Sequence, residues 1–99
     1  MNATGEVMIG RNLFLSILFV GHQKLDTWWC YPTLSAPFWR CYWNDRPGAA
    51  LILGKRRIAL DQSHVYLIPP DTDCASFSPA DGPGHLYIHF MCQLPHALR

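Results

Sequence analysis

The stretch AALILGKRRIAL, residues 49–60, indicates the class of fold. Two apolar runs flank Gly54-Lys55, and a glycine followed by a second residue suits the tight two-residue turn of a β-hairpin. The pattern therefore predicts two short antiparallel strands that meet at this turn. Lys55, Arg56 and Arg57 form the only basic cluster and lie beside the glycine, so we interpret them as solvated turn charges and not as a nucleic-acid surface.

Short strands are also predicted on both sides of the hairpin. DRPG at 45–48 and Pro69-Pro70 mark turns between them. The predicted strands outside the hairpin are FWRCYWN (38–44), HVYLI (64–68), CASFS (74–78) and HLYIHFM (85–91). Strands at intervals of roughly 8–12 residues, separated by Gly and Pro turns, are typical of an antiparallel sandwich or barrel. Since no segment has the pattern of a long amphipathic helix, the sequence predicts an all-β fold.

The N-terminal part contains one further apolar run. LFLSILFV at residues 13–20 is predicted to be a buried strand that ends at Gly21, with a loop or irregular edge over 22–37. The run is too short to span a bilayer, which needs about 20 residues, and its flanks are not those of a signal peptide. We therefore expect no membrane association. Residues 1–11 carry little pattern and are predicted to be a poorly ordered arm before a single domain over 12–99.

Composition and cysteine spacing limit the class of protein. The 99 residues are 49% hydrophobic and 15% charged with a formal net charge of +1, which is typical of one globular domain and not of a disordered chain. The four cysteines form no CxxC pair. We interpret them as buried free thiols in a reducing cytosol, with two disulfides as the alternative, and expect a cytoplasmic protein.

The stretch HLYIHF, residues 85–90, places two histidines four residues apart. On a strand that rises about 3.3 Å per residue their backbones lie roughly 13 Å apart. Both ligand atoms would have to lie within about 2 Å of one zinc ion. His85 and His89 are therefore not expected to chelate a metal ion together.

Strand alternation divides this segment into two faces. His85, Tyr87 and His89 share one face, and the other face carries Leu86, Ile88 and Phe90. We expect the apolar face to pack into the sandwich. The polar-aromatic face is expected to point either into a cavity or against residues that cover it.

Three segments, in order, resemble the N-terminal sensor domain of AraC-type transcriptional regulators, a cupin-like jelly roll. They are APFWRCYWNDRPGA, VYLIPPDT and HLYIHF, and the resemblance covers roughly residues 13–92. It implies a β-barrel that binds a small effector, often a sugar, in its mouth. In the family, dimerising helices and a helix-turn-helix module that binds DNA follow this domain. Because the chain ends at QLPHALR, we expect no nucleic-acid binding by this chain itself and a jelly roll incomplete at its C-terminal end, and we leave a homodimer open.

The resemblance also implies ligand contacts. Positions matching His85 and Tyr87 hold a histidine and an aromatic residue that contact the sugar, Ser76 matches another contact position, and Gln23 lies near a further one. An aromatic face stacks on sugar C–H groups, and imidazole offers a donor and an acceptor to hydroxyls. For His85 and Tyr87 a role as satisfied core residues is the alternative, and His89 is predicted to be structural.

The aromatic strand at 38–44 supplies two more candidates. Trp39 and Trp43 share a face with Cys41 and are candidate pocket residues, with the bulk of a small core as the alternative. Arg40 lies on the opposite face, where it is either a stacked surface cation or a polar anchor.

Catalytic constellations are missing from the pattern. There is no GxSxG elbow and no pair of carboxylates, and five of the aspartates lie beside turn residues. Metal-binding cupins use an HxH pair, a glutamate and a later histidine, whereas the only glutamate here is Glu6. We therefore expect no catalytic residue, no metal and no cofactor. The expected function is effector binding; the alternatives are a small metal-dependent cupin enzyme and a regulator fragment without a function of its own.

Overall fold

The computed structural model describes residues 5–9 and 13–93, with side chains over 14–92. The described residues form eight strands and one short 3-10 helix. The strands are β1 Gly5–Ile9, β2 Leu13–Lys24, β3 Trp39–Asn44, β4 Ala50–Leu53, β5 Arg56–Ala59, β6 Tyr66–Ile68, β7 Ala75–Phe77 and β8 Gly84–Gln93, and the 3-10 helix is Thr27–Trp29.

The strands form two antiparallel sheets. The larger has the order β1-β2-β8-β3-β6, and the smaller has the order β5-β4-β7. The all-β antiparallel prediction is confirmed. The two-sheet arrangement is consistent with the jelly roll that the resemblance implies.

The predicted hairpin is present. β4 pairs with β5 from Ala50↔Ala59 to Leu53↔Arg56, which leaves Gly54 and Lys55 as the turn. Gly54 has a φ of 61°, a left-handed conformation that glycine adopts without steric cost. The basic residues of β5 are exposed, as expected of solvated charges.

The sequence predicts that this strand ends at Gly21, but β2 continues to Lys24. Gly21 pairs with Tyr87 of β8, and a Cβ atom on Gly21 would collide with Cζ of the Tyr87 ring. The glycine therefore provides space for an aromatic ring and does not break the strand. Apolar content alone could not distinguish these two roles.

β1 lies inside the segment that was predicted to be a poorly ordered arm. It pairs with β2 from Gly5↔Ile17 to Ile9↔Leu13 and forms one edge of the larger sheet. Its sequence, GEVMI, does not alternate between apolar and polar residues, so the period-two pattern of a half-buried strand is absent.

The core lies between the sheets and includes the segment that follows β2. Its buried apolar members include Leu25, Trp29, Tyr42, Leu51, Leu60 and Ile68. The inner faces of β3 and β8 also bury polar side chains, namely Arg40, Asn44 and His85. The inner face of the larger sheet is therefore polar and aromatic.

The apolar face of β8 lies on the outside of the larger sheet, so the prediction that it packs into the sandwich is wrong. Together with neighbouring strands it lines an outer groove of about 440 Å³. The groove is lined by Leu15, Ile17, Trp39, Cys41, Leu67, Ile88, Phe90 and Cys92. Alternation correctly separated the two faces, but it does not say which of them the smaller sheet covers.

All four cysteines are free, as predicted, but they are not all buried. Cys74 is buried, Cys41 and Cys92 are partly buried in the outer groove, and Cys30 is exposed. Burial raises the pKa of the Cys41 and Cys74 thiols.

Gly21→Ala tests the contact between β2 and Tyr87. We expect a loss of about 1–3 kcal/mol in the free energy of unfolding, because the added methyl group collides with the ring. In a Tyr87→Ala background the same change should be neutral or stabilising, since alanine is preferred over glycine in a strand by about 0.5–1 kcal/mol. Denaturant unfolding of the unmodified protein, the two single variants and the double variant measures the coupling between Gly21 and Tyr87. Equal effects of Gly21→Ala in both backgrounds would contradict this coupling.

Candidate functional site

A pocket of about 290 Å³ lies against the inner face of the larger sheet. The sheet contributes Gln23 from β2, Tyr42 from β3, and His85, Tyr87 and His89 from β8. The opposite wall is the segment after β2, which contributes Trp28, Trp29, Tyr31 and Leu34. Most of the lining is therefore aromatic, and its polar groups include an amide, two imidazoles and the hydroxyls of three tyrosines.

The segment that forms the opposite wall is fixed at both ends of its 3-10 turn. Asp26 begins the turn, and its side chain accepts a hydrogen bond from the backbone N–H of Thr27 at 2.7 Å. The Ser76 hydroxyl donates to the carbonyl of Trp29 at 2.8 Å and accepts from the N–H of Tyr31 at 3.2 Å. Ser76 is buried and does not line the pocket, so it positions the aromatic wall.

His85 is buried and paired with a buried amide. It is 3% exposed, and its Nδ1 lies 2.6 Å from Oδ1 of Asn44, which is fully buried. Burial, with smaller contributions from the nearby His22 and His89, lowers the pKa of His85 to about 4. The ring is therefore neutral at pH 7. Since Oδ1 only accepts, Nδ1 carries the proton and Nε2 is left as an acceptor.

Tyr87 lies between the two histidines and closes against β2. Its hydroxyl accepts a hydrogen bond from Nε2 of Gln23 at 3.1 Å. Its ring stacks on Phe19, with centroids 5.7 Å apart and planes at 13°, and on His85, with centroids 5.6 Å apart and planes at 22°. The ring is thus fixed on both sides while the hydroxyl and the Gln23 amide remain at the pocket mouth.

The inner face of β8 is part of a continuous array of rings. His85 contacts Trp29 and Tyr42, with centroids 5.2 and 4.6 Å apart, and His89 contacts Phe38 at 4.6 Å. Burial lowers the pKa of His89, and the positive charge of Arg40 adds to this effect. Flat rings with a few polar atoms at their edges can hold a ligand by stacking and orient it by hydrogen bonds.

The structure brings together three of the predicted contacts and separates the others. His85, Tyr87 and Gln23 meet in the pocket. Trp39 and Trp43 lie on the opposite face of β3, where Trp39 stacks on Phe90 at 6.0 Å and the Trp43 indole N–H donates to the carbonyl of Gln62 at 3.1 Å. The tryptophans of the pocket are instead Trp28 and Trp29, in the segment predicted only as a loop or irregular edge.

The pairing between β3 and β8 explains which residues the sequence missed. Asn44 pairs with His85, Tyr42 with Tyr87 and Arg40 with His89, so the inner residues of both strands meet one to one. Arg40 is the polar anchor of the two roles considered for it, since it is 2% exposed and donates to backbone carbonyls. Alternation in the sequence identifies which residues of β3 share a face and which residues of β8 do so, but it does not give the register between the two strands.

No group of three His, Cys, Asp or Glu side chains among the described residues is placed to hold a metal ion. No described helix is long and apolar enough to cross a membrane.

Fold and site together define an antiparallel two-sheet β domain with an aromatic pocket between its larger sheet and an anchored loop segment. Comparison with known proteins adds no family assignment. No protein-family model and no curated protein matches the chain.

Ser76→Ala tests whether this serine positions the aromatic wall. The change leaves the Trp29 carbonyl and the Tyr31 N–H without their partner, so we expect a loss of about 1–3 kcal/mol in unfolding free energy and faster amide exchange over 27–31. The exposed Ser35→Ala is the matched control. Unchanged stability and exchange in Ser76→Ala would show that the hydroxyl does not fix this segment.

The buried neutral His85 predicts acid sensitivity. His85 takes up a proton near pH 6.5 in the unfolded chain but only near pH 4 in the folded protein. The contribution of the neutral ring to the free energy of unfolding is therefore complete above pH 6.5 and is lost as the pH falls toward 4. The loss amounts to about 2–3 kcal/mol. Denaturant unfolding from pH 7 to 4 measures it, and His85→Gln should flatten this slope. Equal slopes in both proteins, or an NMR titration of His85 near pH 6.5, would contradict the prediction.

Proposed function

We propose that the protein is the effector-binding module of an AraC-type transcriptional regulator, which binds a small polar molecule of the carbohydrate class without chemically changing it. The observation that carries the proposal is the convergence of His85, Tyr87 and Gln23 on one aromatic pocket. These are residues that the resemblance marks as contacts, and they come from strands far apart in sequence.

The chemistry of the pocket supports a carbohydrate. Ring faces of Trp28 and Trp29 suit the C–H faces of a sugar, and the Gln23 amide, the Tyr87 hydroxyl and Nε2 of His85 suit its hydroxyls. Ligand pockets range from about 300 to 1,000 Å³, so a volume of about 290 Å³ favours a small ligand such as a monosaccharide.

Binding without catalysis is supported by the lining residues. None of the side chains that line the pocket is a carboxylate, a serine or a cysteine. A carboxylate pair for acid–base catalysis and a serine or cysteine nucleophile are therefore missing from the described lining. The four free thiols support a reducing, cytoplasmic location for the regulator.

A panel of monosaccharides tests the proposal on the full chain. We expect at least one sugar to raise the melting temperature, since a ligand that binds only the folded state stabilises it. Gln23→Ala and Tyr87→Phe should each weaken binding about 2- to 10-fold in calorimetry through the loss of a net hydrogen bond. Gln62→Ala makes the same change as Gln23→Ala at an exposed residue outside the pocket and should bind normally.

Two outcomes would contradict this function. One is a folded sample whose melting temperature no sugar changes. The other is stoichiometric iron, manganese or zinc in the purified protein, which would favour a metal-dependent cupin enzyme.

A further inference from the structure

A buried arginine lies behind one end of the pocket. Arg40 is 2% exposed, and its guanidinium donates to the carbonyl of Leu34 at 3.4 Å and to that of Thr72 at 3.2 Å. Its Nε atom is buried without a hydrogen-bond partner. Leu34 itself lines the pocket, and Arg40 pairs in register with His89, which also lines it. The positive charge therefore lies directly behind the Leu34–His89 end.

No described carboxylate pairs with this charge. The ion pairs over residues 14–92 are Lys24–Asp81 and His64–Asp61, and both are at the surface. Asp71 and Asp73 flank Thr72 in sequence, but both are exposed and neither forms an ion pair with Arg40. A buried cation without a counterion is costly, and an anion placed close to it offsets that cost.

The aromatic walls alone would favour the opposite charge. Tryptophan and tyrosine rings attract cations to their faces, and the pocket has several such rings. A cationic ligand at the Leu34–His89 end would, however, lie close to the guanidinium of Arg40, and like charges repel strongly where water is excluded. The lining contains no acidic side chain that would offset this repulsion. The charge of Arg40 therefore determines that the pocket accepts a negatively charged ligand and not a positively charged one.

The two ends of the pocket differ in what they offer a ligand. Gln23 pairs in register with His85, whereas Arg40, whose guanidinium donates to the Leu34 carbonyl, pairs with His89, four residues further along β8. At about 3.3 Å per residue the backbones at the two ends are roughly 13 Å apart. Neutral hydrogen-bonding groups are thus concentrated at one end, and the positive charge lies at the other.

We propose that the ligand is a sugar acid, bound with its carboxylate at the Leu34–His89 end and its hydroxyls at the Gln23–Tyr87 end. This inference rests on the proposed function and adds the charge of the ligand to it. Arg40 is a positioning residue, since it acts across the pocket wall through its charge. The rings hold the body of the sugar, and the charge selects the acid over the neutral sugar.

Calorimetry with matched sugars tests the inference on the full chain. The probes are glucose, glucuronate and glucosamine, and the corresponding galactose set. In at least one set we expect the acid to bind at least about tenfold tighter than the neutral sugar and the amino sugar to bind worst. The methyl ester of the same acid should bind like the neutral sugar. The preference should persist at physiological ionic strength, because buried charges are little screened by salt.

Substitutions of Arg40 separate charge from packing. Arg40→Met removes the charge and retains an unbranched side chain, so the affinity for the acid should fall to that for the neutral sugar, which itself should not change. Arg40→Lys should retain the preference for the acid. The exposed Arg56→Met of β5 is the matched control and should behave as the unmodified protein. If Arg40→Met does not fold, the comparison of acid, ester and amino sugar on the unmodified protein decides.

The outcomes distinguish this inference from the proposed function. Tyr87-dependent binding of neutral sugars without a preference for the acid, or a preference for the amino sugar, would overturn the inference and leave the proposed function intact. A preference for the acid that remains in a folded Arg40→Met protein would overturn the role of Arg40. Absence of binding by every probe would overturn both.

Discussion

The central strand β8 is hydrogen-bonded on both sides, to β2 and to β3, and this double pairing is the constraint on which the site depends. A shift of one residue in either register would move the inner histidines and Tyr87 to the outer face. The contact of Tyr87 with Gly21 and the hydrogen bond of His85 with Asn44 each fit only the observed register. The close-packed ring and the buried polar pair therefore specify the sheet as well as the pocket.

The inner face of the larger sheet is unusual in being more polar than its outer face. Arg40, Asn44 and His85 are buried there, while Leu67 and Phe90 lie on the outer groove. Buried polar groups stabilise a fold only weakly even when they are paired, and two of these side chains retain an unpartnered buried nitrogen. An arrangement that costs stability in this way is expected at functional sites, which commonly depart from the packing that stability alone would favour.

Local patterns in the sequence predicted the strands and the two faces of β8. The glycine turn at Gly54 and the Pro69-Pro70 stop each determine structure within a few residues, and they were identified correctly. The predicted strand end at Gly21 is wrong because the ring that requires this glycine comes from a strand more than sixty positions later. Likewise, Trp28 and Trp29 belong to the site only because Ser76 anchors their segment against the sheet. Long-range pairing, not local propensity, decided the outcome in both cases.

The sheet supplies the polar contacts and the loop segment supplies the opposite wall, which explains how a domain of this size can keep a pocket open. The polar contacts Gln23, His85 and Tyr87 stand on paired strands, where neighbouring backbones restrict their positions. The opposite wall is not part of a sheet, but its backbone is bonded to β7 through Ser76 and to the region before β7 by the N–H of Leu34, which donates to the carbonyl of Cys74 at 2.6 Å. Two elements fixed independently leave a gap that neither can close by collapsing onto the other. A pocket formed in this way is present before the ligand arrives, so little of the binding energy is needed to order it.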